Sequence, residues 1–341
     1  MTKILASRLP LVAAPMAGGP TTVALASAVA AAGAFPFLAG GYKTPAALAA
    51  EIARLRVGGA SFGVNLFVPS AGRIDEAAFA AYAAELEPDA AAHGLALDAA
   101  PVPDDDAWHD KLAMLVADPV PVVSLTFGLP AREDIAALRA VGTRVLASVT
   151  TSDEAVLARE AGVDGLVVQG PDAGGHSATF DPARAIGARD TTDLVREVLS
   201  VVSLPVIAAG GVDGPDAVRR LLDAGAEAVA VGTLLLRTDE AGTSPTHRRA
   251  LGDPAFAQTV VTRAFTGRPA RALRNGFADR HTSAPAAYPA VHHLTRALRQ
   301  AAATAGDAQR LHLWAGTGYR SAPTGPAADV IRRLSEGVRR P

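Results

Sequence analysis

Short apolar runs alternate along this chain with alanine-rich stretches of helical character. The runs are 11–14, 35–39, 61–65, 121–126, 144–149, 165–169, 205–209 and 228–232. The stretches at 22–32, 45–56, 132–140, 152–161, 191–201 and 215–224 read as helices. Several begin with a capping residue or a first-turn proline, as at Thr44-Pro45, Thr151-Ser152 and Gly214-Pro215. Several stop at a glycine that tolerates left-handed backbone: Gly33, Gly142, Gly162 and Gly225. Strands that are apolar on both faces and separated by helices belong to a parallel sheet. Eight such units in succession predict an α/β fold, a closed (β/α)8 TIM barrel. The interval from 72 to 119 is longer than one helix and predicts two, with a polar loop at 101–106.

Past Gly232-Thr233 the pattern changes. Residues 238–289 carry more Arg, Thr and Pro and show no clear strand. A helix is predicted at 292–305, and 311–314 is a short apolar segment. These features divide the chain into a barrel at 1–235, a mostly helical region over the barrel mouth at 236–310, and a segment at 311–341 that returns to the barrel.

Composition narrows the chemistry. The 341 residues are 49% hydrophobic and 19% charged, enough apolar material for a sizeable core. A formal charge of -2 and scattered arginines argue against a nucleic-acid surface. There is no cysteine, which excludes disulfides, thiol nucleophiles and cysteine-held metals. Redox chemistry would therefore need a bound cofactor. No charge falls between Arg8 and Lys43, yet Pro10, Pro15, Pro20 and Pro36 interrupt any span of roughly 20 residues. We expect no membrane helix, no secretory signal and a cytoplasmic location.

A barrel places its chemistry at the carboxyl ends of its strands. The first run ends in Ala14-Pro15-Met16-Ala17-Gly18-Gly19, a small turning backbone that could approach a flat ring. The third ends in Asn65, which offers a donor and an acceptor to a heterocycle edge or simply forms a turn. The sixth leads into Gln169-Gly170-Pro171-Asp172-Ala173-Gly174-Gly175-His176. A lone histidine is ordinarily structural. Here the double glycine and the adjacent Gln169 place His176 on a loop with little steric cover, which favours a functional role. Gly210-Gly211 and Gly232-Thr233 end the last two runs, where barrels bind phosphate through backbone N–H groups. No P-loop, His-Glu-x-x-His or Gly-x-Ser-x-Gly is present. His292-His293 point in different directions on a helix and read as a packing and surface pair, so no metal is expected.

Taken in order, four blocks resemble the class I nitronate monooxygenase (2-nitropropane dioxygenase) family. They are the Ala14 to Gly19 opening, Phe62-Gly63-Val64-Asn65-Leu66-Phe67, the Gln169 to His176 block, and Leu204-Pro205-Val206-Ile207-Ala208-Ala209-Gly210-Gly211. Further similarity lies at Val231-Gly232-Thr233, Glu240-Ala241, Tyr288-Pro289 and Trp314-Ala315-Gly316. Two positions depart from the family pattern: Asp172 stands where Glu is usual, and Ala178 where Gly is common.

The resemblance implies FMN at the barrel top. Ala14, Pro15, Met16, Asn65 and Gln169 would lie about its ring, and Gly174, Gly175, Gly210, Gly211, Gly232 and Thr233 about the ribityl phosphate. It also implies that His176 is catalytic and that an alkyl nitronate is oxidised with O2 to a carbonyl compound and nitrite. His176 would either steady the nitro oxygens or take an α-proton; the first is favoured because family members act chiefly on nitronates. Tyr288 and Tyr319 are expected to add hydroxyls over the mouth. The alternatives are an NAD(P)H-dependent quinone or enoyl reductase on the same fold, and a phosphate-binding barrel without redox activity.

Overall fold

The computed structural model describes residues 4–69, 72 and 74–338. The first three residues of the expected barrel segment and the last three of the C-terminal segment lie outside them. Eleven strands occur among the described residues: β1 (Leu11–Ala13), β2 (Phe35–Ala39), β3 (Gly63–Phe67), β4 (Val122–Thr126), β5 (Arg144–Val149), β6 (Gly165–Gln169), β7 (Gly175–His176), β8 (Val206–Ala209), β9 (Ala228–Val231), β10 (Thr259–Thr262) and β11 (Ala270–Leu273). All but β7, β10 and β11 close a barrel in chain order, with β1 pairing β9 in parallel. The fold is a (β/α)8 TIM barrel.

Both faces of these strands are apolar because both are covered. Leu11, Val64, Val123, Val145, Leu166 and Val229 pack outward among the surrounding helices. Val12, Phe37, Val122, Leu146, Ile207 and Ala230 fill the barrel interior with Ile4 and Leu5. The helices are fixed at their ends. Thr22, Thr44 and Thr151 each accept a hydrogen bond from a first-turn amide, and Gly162 ends its helix in left-handed backbone. The interval after β3 holds two helices, Glu76–Ala91 and Trp108–Ala117.

The region over the mouth differs from expectation in one respect. It contains helices Pro245–Ala250, Gly276–Arg280 and Ala290–Ala305, but also the antiparallel pair β10–β11, which the sequence did not disclose. β11 then pairs antiparallel with β7, setting Ala270 opposite His176. His176 is therefore a strand residue of a three-stranded lid sheet, not a bare loop residue. Its backbone is claimed by β11 because the two glycines before it let the chain turn into register. Trp314 bridges to Ala272 on the same lid. The last helix, Ala327–Ser335, packs on helices Val23–Ala31 and Pro215–Asp223 of the barrel. No helix among the described residues is long and apolar enough to cross a membrane.

Candidate active site

A cavity of about 550 Å³ lies between the carboxyl ends of the barrel strands and the lid. Its floor marks a change in the barrel interior. Lower layers are apolar, whereas Asn65, Ser124, Ser148 and Gln169 present polar groups at the upper layer. Asn65 lies in the middle of β3, two residues short of its end, so it is no turn former. It sits beside Ser124 in the ladder. Its Nδ2 donates to the Ser124 carbonyl and hydroxyl at 3.1 and 2.9 Å and to Thr126 Oγ1 at 2.8 Å. Its Oδ1 has no partner among the described residues.

Gln169 does not present a free amide to the cavity. Nε2 donates to the His176 carbonyl at 3.1 Å, and Oε1 accepts from the Ala178 N–H at 2.7 Å. The amide holds the strand that carries His176. The His176 ring packs near Phe127, Tyr288 and Trp314, with centroids 5.7, 5.9 and 5.3 Å away. Its Nε2 lies 2.9 Å from Thr266 Oγ1. Burial, then Arg268 and Arg299, push the imidazole down to about 3, so it is neutral near pH 7.

Both arginines lack a carboxylate partner among the described residues. Arg268 is almost fully buried, with its guanidinium 3.9 Å over the Phe127 ring, and it donates to the Ser177 and Thr179 carbonyls. Arg299 lines the cavity from helix Ala290–Ala305, and its Nη1 has no protein partner. Burial lowers each to about 10, still protonated at neutral pH. Arg299 on the cavity wall, and Arg268 packed outside it, therefore set positive charge beside a neutral histidine.

The glycine-rich ends converge on the opposite side. Gly174, Gly175, Gly210, Gly211, Gly232 and Thr233 all line the cavity, as do Ala14, Pro15 and Met16. Gly210 and Gly211 adopt φ of 108° and 76°, open to glycine and strained for other residues. The amides of Gly211, Gly232 and Thr233 donate to no acceptor among the described residues. A third strap joins them: Gly316 and Gly318 also line the cavity, and the Gly316 N–H donates to Thr233 Oγ1 at 2.9 Å.

The two tyrosines are corrections. The Tyr319 hydroxyl donates to the Phe256 carbonyl at 2.6 Å inside a separate apolar cluster, so it does not reach the cavity. Tyr288 stands behind His176 and donates to the Tyr42 hydroxyl at 3.4 Å. Tyr42 is the tyrosine on the cavity wall. It has a φ of 65°, and its N–H donates to Asp106 Oδ1 at 2.8 Å. The histidine pair also divides differently from the expectation. His293 bonds Asp104 at the surface, whereas His292 faces the cavity. His292, Arg296 and Arg299 recur at helical spacing on one face, a pattern that could have identified them.

Comparison with known proteins agrees with this geometry. A family model described as nitronate monooxygenase matches residues 1–337. A probable nitronate monooxygenase of Staphylococcus aureus (strain Newman) is 32% identical over 339 residues, covering 98% of this chain and 95% of that protein. A crystal structure of nitroalkane oxidase from Streptomyces ansochromogenes superposes with a TM-score of 0.91 at 47% identity, covering 97% of each chain. FabK from Thermotoga maritima superposes at 0.75 with 25% identity, covering 98% of this chain and 94% of that one. The chain belongs to the nitronate monooxygenase family of flavin-dependent oxidoreductases.

Proposed function

We propose that this chain holds FMN at the barrel mouth and oxidises alkyl nitronates, propionate 3-nitronate among them, with O2 to a carbonyl compound and nitrite. The residues present fit the cofactor. Three unpaired amides, on Gly211, Gly232 and Thr233, suit a phosphate. Glycines at 174, 210 and 211 let the loops pack closely on one another around this end of the cavity. Ala14, Pro15 and Met16 offer a flat flank, and the unpartnered Asn65 Oδ1 can accept from a ring N–H. Bound flavin supplies an electron acceptor that O2 can regenerate.

The observation that carries this reading is the pairing of a neutral His176 with two buried guanidinium groups that make no ion pair among the described residues. Positive walls favour an anion over a neutral substrate. An imidazole lowered to about 3 is a weak base, poorly matched to removing a carbon-bound proton at pH 7. A nitronate has already lost that proton. His176 then orients the anion by hydrogen bonding, and the lid sheet excludes water around it. In this reading His176 steadies the nitro oxygens as a neutral N–H donor, and the positive field comes from Arg268 and Arg299.

The test is a visible spectrum of the purified protein, followed by nitrite release and O2 uptake on adding a nitronate or its parent nitroalkane. Flavin absorbance and nitrite from the nitronate are expected. A colourless protein that takes up no flavin, or rapid anaerobic bleaching by NADPH without nitrite formation, would overturn it.

A further inference from the structure

The cavity holds a second imidazole whose protonation is fixed by its neighbours. His292 Nδ1 lies 3.1 Å from Arg299 Nη2. A guanidinium can only donate, so Nδ1 is the acceptor and the proton of the neutral ring sits on Nε2. Arg299 cannot readily turn away. Its Nη2 also donates to the His292 carbonyl at 2.9 Å, and its Nε to Thr295 Oγ1 at 3.0 Å. The ring plane is set as well, by Tyr42 stacked on it at 4.1 Å and 5°. The Nε2–H has no acceptor among the described residues, and the residue lines the cavity. This arrangement is a donor prepared for an acceptor that the protein does not itself provide.

We propose that His292 is a second substrate-facing histidine, donating its Nε2–H to a nitro oxygen of the bound nitronate, with Arg299 as the positioning residue that fixes its tautomer. The proposal rests on the nitronate reading of the cavity and adds to it a residue and a protonation state. His176 and His292 both pack against Tyr288, with centroids 5.9 and 6.4 Å from its ring, so the two imidazoles share one side of the site. A neutral donor keeps its proton beside an anion, whereas an imidazolium could surrender it. Fixed donors aimed at developing charge are where such sites gain most of their stabilisation.

The groups facing His292 come from four directions. Arg299, Arg296 and His293 lie on its own helix, and His293 is bonded to Asp104. His176 approaches from β7, His312 from the segment before Trp314, and the Tyr42 and Tyr288 rings from the sides. Burial first, then Arg299 and the neighbouring imidazoles, hold the ring well below the usual histidine range. Removing Arg299 would release both the charge and the lock.

The experiment uses flavin-loaded protein labelled with 15N-histidine, with His292→Gln to assign the resonance. The expected spectrum shows one neutral tautomer, protonated at Nε2, from pH 5 to 8. In Arg299→Leu, which frees Nδ1, the same ring should populate both neutral tautomers. Nitrate ion, a flat oxyanion that does not react, should shift the Nε2–H resonance of the native protein. In turnover, His292→Phe keeps the stacked ring and removes the donor; kcat/KM for nitronate should fall about 10- to 100-fold with flavin content unchanged. His292→Gln, which keeps an N–H, should recover part of the loss. An Nδ1–H tautomer, titration of the native ring near its ordinary value, or an undiminished kcat/KM in His292→Phe would overturn the proposal. Absence of nitrite formation by the native protein would sink the nitronate reading alone if nitrate still shifts the His292 resonance, and both if it does not.

Discussion

Gln169 grips the main chain on both sides of His176, donating to the His176 carbonyl and accepting from the Ala178 N–H two residues on. One side chain at the end of β6 thus sets the height of the lid strand above the barrel. Gln169→Leu removes both bonds and leaves two backbone groups short of partners, at about 1–3 kcal/mol each. Gln169→Glu keeps the shape but turns an oxygen toward the His176 carbonyl, where the two repel. Both variants should lower the unfolding midpoint. Both should also reduce turnover by about 10- to 100-fold, because a displacement near 1 Å at the reacting centre is enough for that loss. Retained turnover in Gln169→Glu, measured with nitronate at saturating O2, would show that the clamp does not govern His176.

The ionisation of His176 offers a second check. Its folded value of about 3 lies below the ordinary value of about 6.5, so the ring is neutral throughout pH 5–8. The pH profile of kcat/KM for a nitronate should therefore show no step from His176 in that window. In Arg268→Met the ring should rise only part of the way, because burial is the larger cause, and the window should stay free of a step. His176→Asn should keep its flavin and lose about 100-fold or more in turnover. A native profile with a clear inflection near pH 6.5 that disappears in His176→Asn would contradict the neutral assignment.

Much of the barrel was legible because its period is carried by composition: β2, β5 and β6 coincide with runs that are apolar on both faces and bounded by glycine or proline. The glycines at 174, 210, 211 and 232 were legible for the same reason, since they interrupt that pattern at strand ends. The lid was not. β10 and β11 are four residues each; they pair with each other, and β11 alone reaches His176, a contact some ninety residues away in sequence. Asn65 was placed at the end of its run by a two-residue error in a strand boundary, which left a turn open as an alternative to a ring contact there. Arg268 gave no local sign of its burial. Its partners are carbonyls after His176, and carbonyls have no signature in sequence.

Buried neutral histidines should make the fold sensitive to acid. His176 is lowered to about 3 and His247 to about 4, and His292 and His312 are lowered as well, in each case chiefly by burial. A depressed folded value means the unfolded chain binds protons first. The stabilisation is complete above about pH 6.5 and is lost as pH falls toward the folded values. Each such histidine adds a slope of about 1.4 kcal/mol per pH unit within that window. Chemical unfolding at pH 7, 6 and 5 should show a steep loss of stability, and His247→Gln should lessen it. Equal midpoints at pH 7 and 5 would mean these rings are accessible to protons in the folded state.

The glycine at 174 provides a test of the cofactor cradle that is separate from catalysis. A Cβ there would sit 2.4 Å from the Gly316 nitrogen and 2.6 Å from the Ala315 carbonyl carbon. Both are backbone atoms, so Gly174→Ala must push the 315–316 strap outward. That movement would break the Gly316 N–H bond to Thr233 Oγ1 and disturb the unpaired amides at Gly232 and Thr233. Gly187→Ala is the control, because an added Cβ there meets nothing within 4 Å. Flavin content after purification and the Kd on reconstitution decide the matter. Gly174→Ala should weaken flavin binding about tenfold or more, equivalent to about 1.4 kcal/mol, while Gly187→Ala stays as the native protein. If Gly174→Ala binds flavin normally, the strap contributes nothing to the cradle, and the phosphate must rest on the two barrel ends alone.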